Sequence, residues 1–315
     1  GAGVPRSGWP LGLELEYADV AGGPLSEDVV RLGRRLFFDQ RFSRDRSVSC
    51  ASCHQPERSF ASNERFSVGV SGALGTRNAP SIVNRLLGRS HFWDGRAAEL
   101  ESQVLGPLFS PAEMAMDEGL VLQRLAEAGY APEFRAAFDQ EPSLALFGRA
   151  LAAFERTLLS GEAPFDRFEW QGDEQALGDG AQRGLALFRG KARCTLCHTG
   201  TNFSDELYHD VGTGSAADRG RQAITGAAAD AGRFKTPTLR NVALTQPYMH
   251  DGSLDSLDAV IEHYDRGSGA PGAELVPLRL SAAEKGELVE FLSSLSGPTR
   301  SVWAAELERK LAAAR

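Results

Sequence analysis

Cys50-Ala51-Ser52-Cys53-His54 is the stretch from which the fold can be read. Two thiols three positions apart can each form a thioether to one edge of a porphyrin, and the histidine that follows then lies under the iron. The spacing reads as covalent c-type haem attachment. A second copy, Cys194-Thr195-Leu196-Cys197-His198, starts 144 residues on, from 50 to 194. The two copies use all four cysteines and leave none for a disulfide. The competing readings are a CxxC zinc half-site and a redox dithiol; neither has a use for the trailing histidine that both copies carry.

Moving outward, Gly33-Arg34-Arg35-Leu36-Phe37 precedes the first motif and Gly184-Leu185-Ala186-Leu187-Phe188 precedes the second. Beyond the motifs the repeat runs without a gap at an offset of 157, from 78 to 235. Asn78-Ala79-Pro80 then meets Lys235-Thr236-Pro237, Asn84 meets Asn241, Trp93-Asp94-Gly95 meets His250-Asp251-Gly252, and Leu100 meets Leu257. Self-similarity on this scale points to two copies of one haem domain. A chain of 315 residues is long enough for two domains. We expect an arm over 1–24, a first haem domain over 25–165 and a second over 166–315, with the Gly, Pro and Asp clusters of 160–180 at the boundary.

Ser26 is the expected N-cap of a helix reaching Phe38, with Val29, Val30, Leu32, Leu36 and Phe37 at helical spacing. Helices are also expected at roughly 96–106, 253–265 and 281–296, with helical patterns through 117–160 and a charged amphipathic tail to Arg315. The small, polar stretch 211–232 reads as a mobile surface loop. Strand-like alternation is weak throughout, so the expected fold is mostly α, two cytochrome c-like haem domains related by an internal repeat. The net charge of −8 argues against nucleic acid and anionic membrane surfaces as partners. No run of 18 apolar residues is present, so no membrane span is expected. The start, Gly1-Ala2-Gly3-Val4-Pro5, reads as a mature or trimmed N-terminus. Because c-type haem is attached outside the bacterial cytoplasm, the expected location is periplasmic.

The residues opposite His54 and His198 decide the chemistry, because a haem with two protein ligands carries electrons and one with a single ligand leaves its iron open. In the second copy the helix after His250 runs through Ile261-Glu262-His263-Tyr264; the offset sets Pro107 against Tyr264. Proline cannot bind iron. The repeat itself therefore suggests an open first haem and a ligated second one. For the second iron His263, Met249, His250 and His209 are candidates beside Tyr264, and adjacent helical positions such as 263 and 264 cannot both face it.

The two CxxCH motifs, with Phe92-Trp93-Asp94-Gly95-Arg96 and Pro247-Tyr248-Met249-His250-Asp251-Gly252, resemble the bacterial dihaem cytochrome c peroxidases over roughly 25–300. In the cytochrome c peroxidase branch a Met fourteen residues after the HDG histidine binds the second iron; that position is Tyr264 here, the mark of the MauG-like branch. A distal histidine sixteen residues after the first proximal one is replaced by Val70. The resemblance implies Glu113 as distal acid/base, Gln103 as its amide neighbour, Trp93 as an electron or hole relay, and Asn78, Thr245 and Pro247 as an interdomain calcium site. Two haems and one calcium ion are thus expected, with a dihaem oxidoreductase in which hydrogen peroxide reacts at the open haem to give a high-valent state shared with a His/Tyr haem. The redox partner is expected to be a small cytochrome, a cupredoxin or a protein substrate. The other readings are a peroxidase that detoxifies peroxide with a small donor, a maturase that oxidises aromatic residues of a partner protein, and a plain electron-transfer cytochrome.

Overall fold

The computed structural model describes residues 10–13, 26–268 and 274–301. The arm is thus described only at Pro10–Leu13, and the tail beyond 301 lies outside the described residues. The first half holds α1 (Glu27–Phe38), α2 (Cys50–Cys53), α3 (Leu100–Gln103), α4 (Leu105–Phe109), α5 (Glu118–Glu127), α6 (Ala131–Phe138), α7 (Leu144–Arg156) and β1 (Leu158–Ser160). The second holds α8 (Pro164–Gln171), α9 (Asp179–Arg189), β2 (Tyr208–His209), α10 (Gln222–Thr225), β3 (Phe234–Lys235), α11 (Leu257–Arg266), α12 (Ala282–Ser293) and β4 (Thr299–Ser301). The fold is mostly helical.

Helix α1 begins where expected: the Ser26 hydroxyl accepts from the Val29 amide, satisfying one orphan donor of the first turn. Its apolar stripe, Val29, Val30, Leu32, Leu36 and Phe37, is buried. One core gathers residues from Val29 to Leu159, and a separate core gathers residues from Phe165 to Leu295. In each, a glycine on the helix before the haem motif allows a close helix crossing. A Cβ on Gly33 would lie 1.8 Å from the Ala150 carbonyl oxygen of α7, and one on Gly184 would lie 1.9 Å from the Glu287 carbonyl oxygen of α12. These are the glycines of the two Gly-x-x-x-Phe stretches noted in sequence. Gly184→Ala should therefore destabilise the protein by about 1–3 kcal/mol through overpacking, although alanine is the better helix former. A fall in the thermal unfolding midpoint of the haem-loaded protein, followed by circular dichroism, measures it.

The 157-residue repeat extends to the backbone. Asn84 and Asn241 both take the left-handed conformation, with φ of 58° and 59°. So do Phe92 and Met249, and Gly95 and Gly252. The isolated bridge His91–Ala97 recurs as Tyr248–Leu254. Strands β1 and β4 pair antiparallel, Leu158 to Ser301, and join the halves: the Asn84 amide takes the Ser160 backbone, and the Asn241 amide side chain holds Gly297 N, Ser59 Oγ and Thr299 Oγ1.

Three expectations change. The single helix over 96–106 is two short helices, α3 and α4, because Pro107 has no N–H to return to the Gln103 carbonyl; its counterpart α11 is continuous. The stretch 160–180 contains α8 rather than only a linker. The 211–232 segment is fastened down: Asp218 takes the Arg77 guanidinium through two contacts of 2.7 Å, and Arg221 donates to the carbonyls of Asp94 and Gly95.

Candidate functional site

Each CxxCH motif makes a single turn that returns the histidine amide to the first cysteine. His54 N donates to Cys50 O and His198 N to Cys194 O, both at 2.9 Å. The rings are then fixed alike: Nδ1 of His54 lies 3.0 Å from Phe60 O, and Nδ1 of His198 lies 3.0 Å from Phe203 O. A ring that donates from Nδ1 to a carbonyl keeps the Nε2 lone pair for a metal. Burial lowers the affinity of both imidazoles for a proton, the two carbonyls opposing it, so the neutral, ligating form is favoured. All four cysteines are free. Burial pushes Cys50 and Cys194 up to about 12 and Cys197 to about 11. A reactive dithiol needs the opposite shift.

One cavity of about 920 Å³ runs between the two halves, at the upper end for ligand pockets. On the first side it is lined by His54, Trp93, Gln103, Pro107 and Glu113; on the second by Cys194, Cys197, His198 and Tyr264. Cys50 and Cys53 are not in the lining, but Cys53 is close enough to Ser67 and Glu113, which are, for both to influence its thiol. Glu113 sits on a turn held by Val70, whose amide donates to the Glu113 carbonyl at 2.9 Å. Val70, at the position of the absent distal histidine, is thus a buried brace for the Glu113 turn.

On the second side, burial and the nearby sulfurs of Cys194 and Cys197 raise the Tyr264 phenol well above its usual value. Its neighbour His263 is engaged elsewhere, with Nε2 2.7 Å from the Val211 carbonyl. His209 spends both ring nitrogens on Asp205 and Glu274. His250 stacks on Phe234 at 3.5 Å. His209, Met249, His250 and Tyr264 all line the cavity; of these, Tyr264 is the one whose phenol feels both Cys194 and Cys197, beside the His198 that follows them.

Trp93 stands where the halves meet. Its indole N–H donates to Asn78 O at 2.8 Å, its carbonyl accepts from Lys235 N, and its ring meets His250 edge-on at 6.4 Å. Asn78, Thr245 and Pro247 all line the cavity. The Asn78 amide nitrogen donates to Glu64 O, which fixes the direction of its oxygen. Phe188 is buried in the second core, while Trp170 is 53% exposed on α8.

Sequence reasoning missed a buried charge cluster. Glu206 accepts from Arg85 at 3.0 and 3.1 Å and lies 3.5 Å from Lys235. Burial opposes its charge, but Arg85 and Lys235 outweigh it and hold the Glu206 carboxyl at about 2. Burial and Arg85 bring Lys235 down to about 8, and burial with the same cations brings His91 to about 3. The one available signal was the repeat, which sets Lys235 against Asn78. The loop after His198 is fixed by the fully buried Arg240–Asp166 pair (2.6 Å), since Arg240 also donates to the Thr201 carbonyl.

The profile of the family described as di-haem cytochrome c peroxidase matches residues 27–175. The methylamine utilization protein MauG of Methylorubrum extorquens is 43% identical over 292 residues, 90% of this chain and 82% of that one. This chain belongs to the dihaem cytochrome c peroxidase and MauG family. The cytochrome c551 peroxidase of Pseudomonas aeruginosa is 35% identical over 90% of this chain and 82% of its own. A solved MauG-like protein associated with microbial copper homeostasis superposes with a TM-score of 0.81 at 32% identity, covering 94% of this chain and 95% of that one. As a member, the chain is a dihaem peroxidase that uses peroxide and two c-type haems. The site fits that cofactor: each pair of free, half-buried thiols is followed by an oriented neutral imidazole, and both imidazoles, with Cys194 and Cys197, line one large cavity.

Proposed function

We propose that this dihaem peroxidase belongs to the MauG-like branch, with an open first haem and a His/Tyr second haem. The observation that carries the reading is the pairing of Pro107 with Tyr264: both line the cavity at equivalent repeat positions, and only one can reach a metal as a ligand. Cys50, Cys53 and His54 would hold the first haem, and Cys194, Cys197, His198 and Tyr264 the second, with the haem domains spanning 25–165 and 166–315. When bound, the haems would supply the redox chemistry, accepting the oxidising equivalents of peroxide. Glu113 accepts the proton of the near peroxide oxygen and returns it to the far one, with Gln103 orienting the substrate beside it. Tyr264 gives up its proton only to a strong positive charge, since its pocket otherwise keeps the phenol neutral. Trp93, in contact with both halves, is the relay between them.

Asn78, Thr245 and Pro247 would bind calcium through the Asn78 amide oxygen and two backbone carbonyls, neutral hard oxygens that this ion accepts. Among the described residues no helix is long and apolar enough to cross a membrane; a periplasmic location and a small cytochrome, cupredoxin or protein substrate as redox partner complete the reading. Electron paramagnetic resonance of the fully ferric enzyme tests it. One high-spin and one low-spin haem in equal amounts is the expected spectrum. Two low-spin haems would show that a protein ligand closes the first iron.

A further inference from the structure

Glu155 has no role in the chemistry above, yet it is buried in the same cavity. It lies near the end of α7, is 5% exposed, and forms part of the lining. It is close enough to Cys50, a sulfur that would carry the first haem, to raise the proton affinity of that thiol. Both guanidinium groups near it are taken by other carboxylates. Arg156 is held by Glu101 in a two-point contact of 2.6 and 2.9 Å, and Arg85 by Glu206. Glu155 Oε2 finds no hydrogen-bond partner. A carboxylate here would be buried without an ion-pair partner of its own, a costly arrangement that a buried acid avoids by keeping its proton.

We propose that Glu155 is a proton-holding residue coupled to the charge of the first haem: reduction of that iron by one electron draws one proton from solvent onto the Glu155 carboxylate, and reoxidation releases it. The electron comes from an external one-electron reductant, such as the mediator of a redox titration, and the new bond is the carboxyl O–H. Electrostatics sets the direction, because a ferric centre carries one more positive charge than a ferrous one and so favours the carboxylate. Burial has already moved Glu155 up to about 8, Arg156 and Arg85 opposing and Glu101 adding to it. The coupling therefore falls in a pH range the enzyme can meet. Of the other groups in this cluster, Lys235 titrates in the same range, His91 is neutral across it, and Glu101 stays ionised beside Arg156. The inference needs haem at Cys50 but not an open first iron, so the spin-state test can fail without affecting it.

The test is a spectroelectrochemical titration of the holoenzyme from about pH 6 to about pH 10, followed at the bands of the first haem. In the wild type its potential should fall as pH rises around 8, with a slope approaching about 59 mV for each tenfold change in proton activity. In Glu155→Gln, which stays neutral and nearly the same shape, that slope should vanish while haem content and spectra remain. An unchanged slope in Glu155→Gln would assign the proton to Lys235 or a haem carboxylate and overturn the proposal, as would a flat wild-type profile. If the variant fails to load haem, redox-difference infrared spectroscopy of wild type labelled with carboxyl-¹³C glutamate decides. A label-sensitive carboxylic-acid band should be gained on reduction near pH 8, and its absence overturns the proposal.

Discussion

Replacing Glu113 by glutamine should lower kcat/KM for hydrogen peroxide by about 10²- to 10⁴-fold, the range that one positioned general acid–base supplies. Heterolysis of the O–O bond needs one group that removes a proton from the oxygen nearer the iron and delivers it to the leaving oxygen. Glutamine keeps the size and polarity of the side chain but cannot exchange a proton in that way. The turn carrying residue 113 is built from backbone contacts, the Glu113 amide to Ser110 and the Val70 amide to the Glu113 carbonyl. The substitution therefore leaves the loop in place, and the ferric spectrum should not change. Stopped-flow kinetics of Glu113→Gln with peroxide, beside the ferric spectrum, measures both. A loss below tenfold would remove Glu113 from the role.

Tyr264→Phe should have the second large effect. The second haem loses its anionic oxygen ligand, and its low-spin signal should convert to high spin. Its potential should rise by on the order of 100 mV or more, within the roughly 0.8 V that axial ligands span. Phenylalanine fills the same space, so haem attachment at Cys194 and Cys197 should persist. The two-equivalent oxidised state should become short-lived, because an anionic oxygen no longer favours positive charge on the second iron. Optical redox titration and the lifetime of the peroxide-oxidised protein are the two readouts. A second haem that stays low-spin would hand the ligand role to Met249 or His250.

The internal repeat carried much of the architecture in the sequence. Helix α1, its cap and its stripe follow from local pattern, and the equivalence of 78–100 with 235–257 recurs in the left-handed residues and isolated bridges of both halves. The break between α3 and α4 had its signal in Pro107. The fastening of 211–232 had no local signal, because Asp218 and Arg221 find their partners Arg77, Asp94 and Gly95 in the other half of the chain. The same holds for Glu155, whose environment is built by Arg85, Glu101 and Cys50 from distant stretches. Composition could not show that Arg85 is spent on Glu206 and Arg156 on Glu101, which is what leaves Glu155 without an ion-pair partner. The choice between His263 and Tyr264 also depends on a distant contact, the Val211 carbonyl that occupies His263.

The most direct test of an open first haem acting with a His/Tyr second haem is rapid mixing of the fully ferric protein with stoichiometric hydrogen peroxide, without reductant and followed optically. Prompt change in both haem spectra, leading to a long-lived oxidised species, is the predicted result. No reaction until one haem has been reduced would mean that a ligand closes the first iron, and would contradict the assignment of Pro107 and Val70 to an open site.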